Sequence, residues 1–145
     1  MRKRTIAREC ALKVLYQRDV TPRTVEEAIK NFIDSQDDPV TEESVEFMTR
    51  LVNGVNENLQ RIDDAISRYA TNWQLKRMAI IDRNVLRLGV FELYYADDIP
   101  PKVTINESVE LAKKYGDIDS SKFVNGILDK IHKSELLPGD TPPAA

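Results

Sequence analysis

The sequence predicts an all-helical protein (all-α) in which two small helical lobes pack around one buried central helix. Apolar residues recur at spacings of three and four along most of the 145 residues, which is the period of an amphipathic helix. The five glycines and seven prolines stand mostly between these periodic segments. Residues 80–95 are apolar almost all round, and a helix of that kind is covered on every side.

The N-terminal helices are bounded by local signals. The first helix runs from about Arg4 to Arg18, and the second follows a cap at Thr24. A long helical pattern begins at Thr41. We expect this pattern to bend or split at Gly54.

The C-terminal helices start with the central helix, which spans Ile80 to Tyr95. After a Pro-Pro turn, the run 104–107 (TINE) matches a capping box and predicts a helix from there to Tyr115, where Gly116 stops it. The last helix covers about residues 119–131. A polar tail without apolar periodicity follows this helix.

The domain organisation follows from these elements. We expect one domain over residues 1–136, with an N-terminal lobe of about 1–72 and a C-terminal lobe of about 73–136. Trp73 is interpreted as a core residue at the lobe interface. Residues 137–145 hold four helix breakers and are expected to be disordered.

The residue inventory argues against catalysis and against a metal. Cys10 and His132 are each the only residue of their type, so neither a zinc constellation nor a Cys-His pair is expected. The glycines form no phosphate-binding loop, and acid pairs such as 63–64 are interpreted as solvated charge. No apolar run approaches 18 residues. We expect a cytoplasmic protein without catalytic activity or cofactor.

The charge is distributed unevenly along the chain. The formal net charge is −3, yet residues 1–18 carry six basic side chains against one acid, a local balance of +5. The remaining residues then hold 15 basic and 23 acidic side chains, or −8. A basic end on an acidic body is typical of a localised phosphate contact, and a solubilising terminus is the alternative.

One face of the first helix combines basic and aromatic residues. Arg2, Glu9, Lys13 and Tyr16 lie within about 60° of one another on a helical projection. Single-stranded RNA uses such surfaces, because bases stack on aromatic rings while Arg and Lys meet phosphates. Packing of Tyr16 beneath a neighbouring loop is the alternative.

The last helix carries a second aromatic residue in a position of interest. Phe123 lies at the margin of the apolar stripe, where a ring serves as core, as a stacking platform, or as both. Gly126 in the middle of this helix costs about 1 kcal/mol relative to alanine. It therefore indicates close approach of a ligand or tight helix packing.

Several segments of the chain resemble the NusB family of bacterial transcription antitermination factors. The resemblance is carried by ARECALKVLYQRD, by DRNVLRLGVFEL, and above all by IPPKVTINESVELAKKYG followed by SSKFVNGILDKI. It implies a two-lobed helical fold, no catalysis, and binding of boxA RNA together with the small-subunit ribosomal protein NusE. It also implies association with RNA polymerase in antitermination complexes during ribosomal RNA synthesis.

The resemblance also implies specific residues. Asp82 is the implied partner-facing acid. Within that hypothesis Tyr16 and Phe123 hold unstacked bases, and Asp119 accepts a hydrogen bond from a base edge. The implied RNA-binding residues are Arg2, Lys3, Arg4, Arg8, Tyr16, Asp119 and Phe123.

Two rival functions are considered beside this one. A helical protein-protein interaction module or homodimer without RNA specificity has the same helical patterning, and the sequence does not separate monomer from homodimer. An RNA-modifying enzyme is the other rival, since similar domains occur fused to ribosomal RNA methyltransferases. The absence of a cofactor-binding glycine loop argues against that rival.

Overall fold

The computed structural model describes residues 3–37, 40–70 and 75–136. Within these ranges the chain is helical and forms no strand, which confirms the predicted all-helical class. None of the helices in these ranges is long and apolar enough to cross a membrane. The helices are α1 (Lys3–Val20), α2 (Val25–Asp34), α3 (Glu42–Glu57), α4 (Leu59–Tyr69), α5 (Ile80–Tyr95), α6 (Pro101–Tyr115) and α7 (Ser120–Glu135), with a short 3-10 helix at Leu75–Arg77.

The chain divides into two compact units, with the boundary between Glu57 and Asn58. Unit 1 holds α1 to α3, and unit 2 holds α4 to α7. The predicted lobe limits near residue 72 stay a prediction. Arg2, Trp73 and the tail 137–145, for which specific expectations were stated, lie outside the described residues.

Unit 1 is built around the apolar faces of α1 and α3. Leu12 on α1 and Leu51 on α3 are at most 1% exposed. The predicted cap of α2 is confirmed, because the backbone N–H of Glu27 donates to Oγ1 of Thr24 over 3.1 Å. Cys10 is buried, and this burial raises the pKa of its thiol, so it is a core residue rather than a nucleophile.

Unit 2 is organised by α5, which contacts α4, α6 and α7. Its limits match the prediction, and Leu86 and Leu88 are at most 1% exposed. Helices pack closely at Gly89, where an added Cβ would lie 2.8 Å from Cδ1 of Leu128 and 3.0 Å from Oγ of Ser108. This glycine lets α6 and α7 approach the α5 backbone.

Two helix boundaries depart from the sequence predictions. The long pattern splits at Asn58 rather than at Gly54, which stays buried inside α3. Helix α6 begins at Pro101, and proline is favoured at a first helical position because its missing N–H would be unpaired there anyway. The capping-box prediction is therefore wrong: Thr104 lies inside the helix, and its hydroxyl donates to Oε1 of buried Glu92 over 2.9 Å.

The structure also differs from the sequence predictions at the end of α7 and at Asp63 of α4. Helix α7 begins after Asp119 as expected but continues to Glu135. The interpretation of Asp63 as solvated charge is wrong. Its carboxylate accepts from Nε and Nη2 of Arg87 at 2.9 and 3.0 Å, with side-chain exposures of 20% and 11%. This paired geometry ties α4 to α5.

Candidate RNA interface

Unit 1 carries a cleft between α1 and α3, which we call the basic cleft. Its volume is about 340 Å³. Two of the predicted RNA-binding residues, Lys3 and Arg4, line it and are exposed. Among the residues that the structure describes, those lining it are Lys3, Arg4, Glu43, Glu46, Phe47 and Arg50.

Three guanidinium groups surround the ring of Phe47 at the basic cleft. The Cζ atom of Arg4 lies 4.5 Å from the ring centroid, that of Arg8 5.3 Å, and that of Arg50 5.8 Å. These distances fall within the range of cation–π attraction. The sequence prediction that Arg8 contacts RNA directly is not supported, because this residue is only 4% exposed.

Tyr16 lies further along α1, and its side chain is 40% exposed. Lys13, one turn earlier, is also exposed, while Glu9 is half-buried. Tyr16 is therefore partly accessible and is not fully packed beneath a loop of the described residues. This part of α1 presents an accessible ring beside a basic side chain.

Unit 2 carries a second cleft, which we call the acidic cleft, with a volume of about 330 Å³. It brings together Asp82, Asp119 and Phe123, which the resemblance assigned to two different ligands. Within the described ranges its lining holds three carboxylates and no basic side chain: Met78, Ala79, Asp82, Asp117, Asp119, Ser120 and Phe123.

Local structure explains how the acidic cleft forms. The loop after α6 turns into α7 with the backbone N–H of Asp117 donating to Oγ of Ser120 over 2.9 Å. This turn leaves Asp119 exposed and Ile118 93% exposed. Across the cleft, Asp82 occupies the first turn of α5, and its Oδ1 is inaccessible and has no hydrogen-bond partner among the described residues.

Phe123 lies where the sequence placed it, at the edge of the α7 stripe. Its ring is half-buried, whereas the stripe residues Val124 and Ile127 are at most 4% exposed. Gly126 is exposed, and a Cβ added there would meet nothing within 4 Å. Tight helix packing therefore does not explain Gly126.

Elsewhere in unit 2, three side chains from α4 and α5 donate to the single carboxylate of Glu135 on α7, which is a structural contact between helices. Tyr94 donates to Oε1 of Glu135 over 2.6 Å, Tyr69 donates to Oε2 over 2.5 Å, and Nη2 of Arg68 lies 3.2 Å from Oε2. Burial works to raise the pKa of Glu135, but these three donors outweigh it and hold that pKa below its ordinary value. Burial and the bond to Glu135 raise the pKa of Tyr94.

Sequence reasoning missed Phe47, Arg50 and Asp117 as members of the clefts. The basic-cleft residues on α3 lie three, four and seven positions after Glu43, and this spacing places them on one face of the helix. That periodicity was available as a signal, but it does not reveal which basic helix lies opposite. Among the described residues, no group of three or more His, Cys, Asp or Glu could hold a metal ion.

Two helical units, one with a cleft lined mostly by basic and acidic residues of α1 and α3 and one with a cleft lined by carboxylates, define a small all-helical protein with two charged surface clefts. The model of the NusB family matches residues 5–133. The transcription antitermination protein NusB of Anaeromyxobacter dehalogenans is 50% identical over 129 residues, which cover 89% of each chain. The chain belongs to the NusB family.

Solved structures agree with this assignment. The structure of T. maritima NusB is similar with a TM-score of 0.83 and 40% identity, covering 96% of this chain and 93% of that one. A structure described as antitermination factors NusB and NusE in complex with dsRNA has a TM-score of 0.83 and 32% identity, covering 92% and 98%. The likeness therefore spans both units.

Proposed function

We propose that this protein is a non-catalytic transcription antitermination factor that binds boxA RNA together with the ribosomal protein NusE. It acts in the cytoplasm on nascent transcripts and supports transcription of ribosomal RNA operons as part of an RNA polymerase complex. Membership of the NusB family carries this proposal, since the relatives bear the name transcription antitermination protein. The structural neighbour that holds NusE and RNA supports both partners.

Unit 1 supports the proposal by its charge and its exposed ring. Lys3 and Arg4 at the basic cleft meet phosphates, and Tyr16 stacks on an unstacked base. Each phosphate neutralised on a single strand adds about 0.7 to the slope of log affinity against log salt. Three or four contacts therefore give a slope of about −2 to −3.

Unit 2 supports recognition of a base rather than of a phosphate. The acidic cleft repels phosphate, but its carboxylates accept hydrogen bonds from the amino and imino groups of a base edge. Phe123 offers a ring to stack on, and Asp119 offers the acceptor. In this proposal the contact discriminates between bases at one position.

NusE is proposed to dock beside this contact, at the wall of the acidic cleft that holds Asp82. Carboxylates attract a basic partner at long range, which speeds encounter more than it adds affinity. Because Asp82 and Phe123 line the same cleft, a docked partner would close it over the RNA. The joint surface is expected to hold RNA more tightly than either protein does.

Fluorescence anisotropy tests this function directly. A labelled single-stranded boxA RNA, a scrambled single strand and a duplex are titrated with the protein, with and without NusE, at several salt concentrations. We expect boxA to bind best, NusE to strengthen binding, and the slope to lie near −2 to −3. Equal or absent binding of all three RNAs in every condition would contradict the proposal and favour a protein-protein interaction module.

A further inference from the structure

We propose that the RNA-binding surface extends from α1 onto α3, with Arg50 as a further phosphate contact and Phe47 as a positioning residue for the arginines. This inference rests on the proposed RNA-binding function. Both residues lie on a helix that sequence analysis did not connect with RNA. The α3 contribution makes the phosphate site a feature of two helices rather than of a basic terminus alone.

The position of Arg50 carries the first part. Arg50 is exposed and lines the same cleft as Lys3 and Arg4. Its guanidinium and that of Arg4 lie 5.8 and 4.5 Å from the centroid of one ring, although the two residues are 46 positions apart in sequence. A phosphate in the cleft therefore meets cations from both helices. Guanidinium groups suit this role because their donors form a fork that matches phosphate oxygens.

Two acids, Glu43 and Glu46, also line the basic cleft, and Glu43 forms a solvent-exposed ion pair there. Nζ of Lys3 lies 3.1 Å from Oε2 of Glu43, with side-chain exposures of 56% and 69%. Such solvated pairs are weak, so a phosphate oxygen can take the place of the carboxylate oxygen at small cost. The three cations that line the cleft, Lys3, Arg4 and Arg50, outnumber Glu43 and Glu46.

The burial of Phe47 carries the second part. Its side chain is only 6% exposed, so a base cannot stack on it. The ring instead faces the guanidinium groups of Arg4, Arg8 and Arg50. Attraction to the ring restricts the rotamers of these long side chains before RNA arrives. Less side-chain entropy is then lost on binding, which is the advantage of preorganisation.

The test uses the full chain and single-stranded boxA RNA across a salt series. Arg50→Gln is expected to lower affinity and to reduce the magnitude of the salt slope by about 0.7. Arg23→Gln is the matched control, because Arg23 is an exposed arginine of unit 1 outside the cleft lining. It removes the same charge and is expected to leave the slope unchanged.

Phe47 is tested by replacing the aromatic ring with an aliphatic side chain. Phe47→Leu is expected to weaken binding about two- to fivefold with an unchanged slope, since every charge remains. Phe47→Tyr keeps the aromatic face and is expected to restore affinity, which a purely structural role would not require. Circular dichroism checks that each variant is folded. Because Arg50 is exposed, Arg50→Gln is expected to leave the core packing unchanged.

The outcomes separate the inference from the proposed function. If the parent protein shows no salt-dependent binding of boxA RNA, both are overturned. If the parent binds and Arg50→Gln matches it in affinity and slope, the α3 contact is overturned and the proposed function stands. If Phe47→Leu binds as tightly as Phe47→Tyr, the positioning role is overturned.

Discussion

The two clefts of this protein have nearly equal volumes, about 340 Å³ in unit 1 and 330 Å³ in unit 2, and each has one phenylalanine in its wall. Their surroundings are opposite. Phe47 is 6% exposed beneath three guanidinium groups, whereas Phe123 is half-buried and shares its cleft with three carboxylates. The same type of side chain therefore lies in two opposite electrostatic environments.

In the proposed complex the two clefts contribute to RNA binding in different ways. Cations held over a covered ring meet phosphates, which carry no sequence information but dominate affinity. Carboxylates beside an accessible ring exclude phosphates and accept from base edges, which differ between bases. We infer that unit 1 supplies the sequence-independent, salt-dependent part of the affinity, and that unit 2 supplies the base contacts, which carry the selectivity.

The largest expected effect comes from removing the accessible ring. Phe123→Ala is expected to weaken binding of boxA RNA by roughly 1–3 kcal/mol, because a stacking platform is lost. Fluorescence anisotropy measures the change, and Phe123→Tyr, which keeps a ring, is the matched control. If a folded Phe123→Ala variant binds as well as the parent, the contrast between the two phenylalanines fails.

The next prediction concerns Glu135, a carboxylate of unit 2 that lies outside the acidic cleft and is expected to affect stability rather than RNA binding. Glu135→Gln is expected to lower the free energy of unfolding by about 1–2 kcal/mol at pH 7, because three donors lose a charged acceptor. RNA binding should stay unchanged, since this carboxylate lies outside the cleft lining. Urea denaturation measures the stability.

The pH dependence of this effect follows from the direction of the pKa shift. The pKa of Glu135 is lower in the folded state than in the unfolded state, so its contribution is present in full above the unfolded pKa. The contribution is lost as the pH falls through the folded-state pKa. The stability difference between parent and Glu135→Gln should therefore shrink on acidification, and a difference that grows would contradict the assignment.

A smaller effect on selectivity is expected at Asp119. Asp119→Asn removes a negative charge near a polyanion but keeps an acceptor, so affinity for scrambled RNA should rise. The ratio of boxA to scrambled affinity should narrow by about fivefold, or about 1 kcal/mol. Competition anisotropy measures this ratio, and Asp97→Asn is the matched control, because Asp97 is an exposed acid of unit 2 outside the cleft lining. An unchanged ratio would remove Asp119 from base recognition.

Most of the helices were predictable because their signals are local. The all-round apolar pattern set the limits of α5, and Thr24 set the start of α2. The start of α6 was missed because two local signals compete there: a proline at the first helical position and the capping-box pattern at 104–107. Thr104 forms a buried hydrogen bond to Glu92 of α5 instead of capping the helix. A tertiary partner of this kind has no trace in the spacing of nearby residues.

The site was predictable in part for a related reason. Counting charge identified the basic end, but it cannot tell exposed Arg4 from Arg8, which is 4% exposed on the same helix. That distinction depends on how α2 and α3, which follow later in the chain, pack against α1. The acidic cleft likewise joins Asp82 of α5 to the loop before α7. Juxtapositions between helices decide which predicted residues are accessible.

The smallest effect tests whether RNA approaches the backbone of α7 beside Phe123. An added Cβ at Gly126 meets nothing within 4 Å, in contrast to Gly89, where it would lie 2.8 Å from Leu128. Gly126→Ala is therefore expected to raise the free energy of unfolding by about 0.4–1 kcal/mol, through helix propensity and a less flexible unfolded chain. RNA affinity should stay at the parent value. Loss of affinity in this stabilised variant would mean that RNA contacts α7 beyond the acidic cleft.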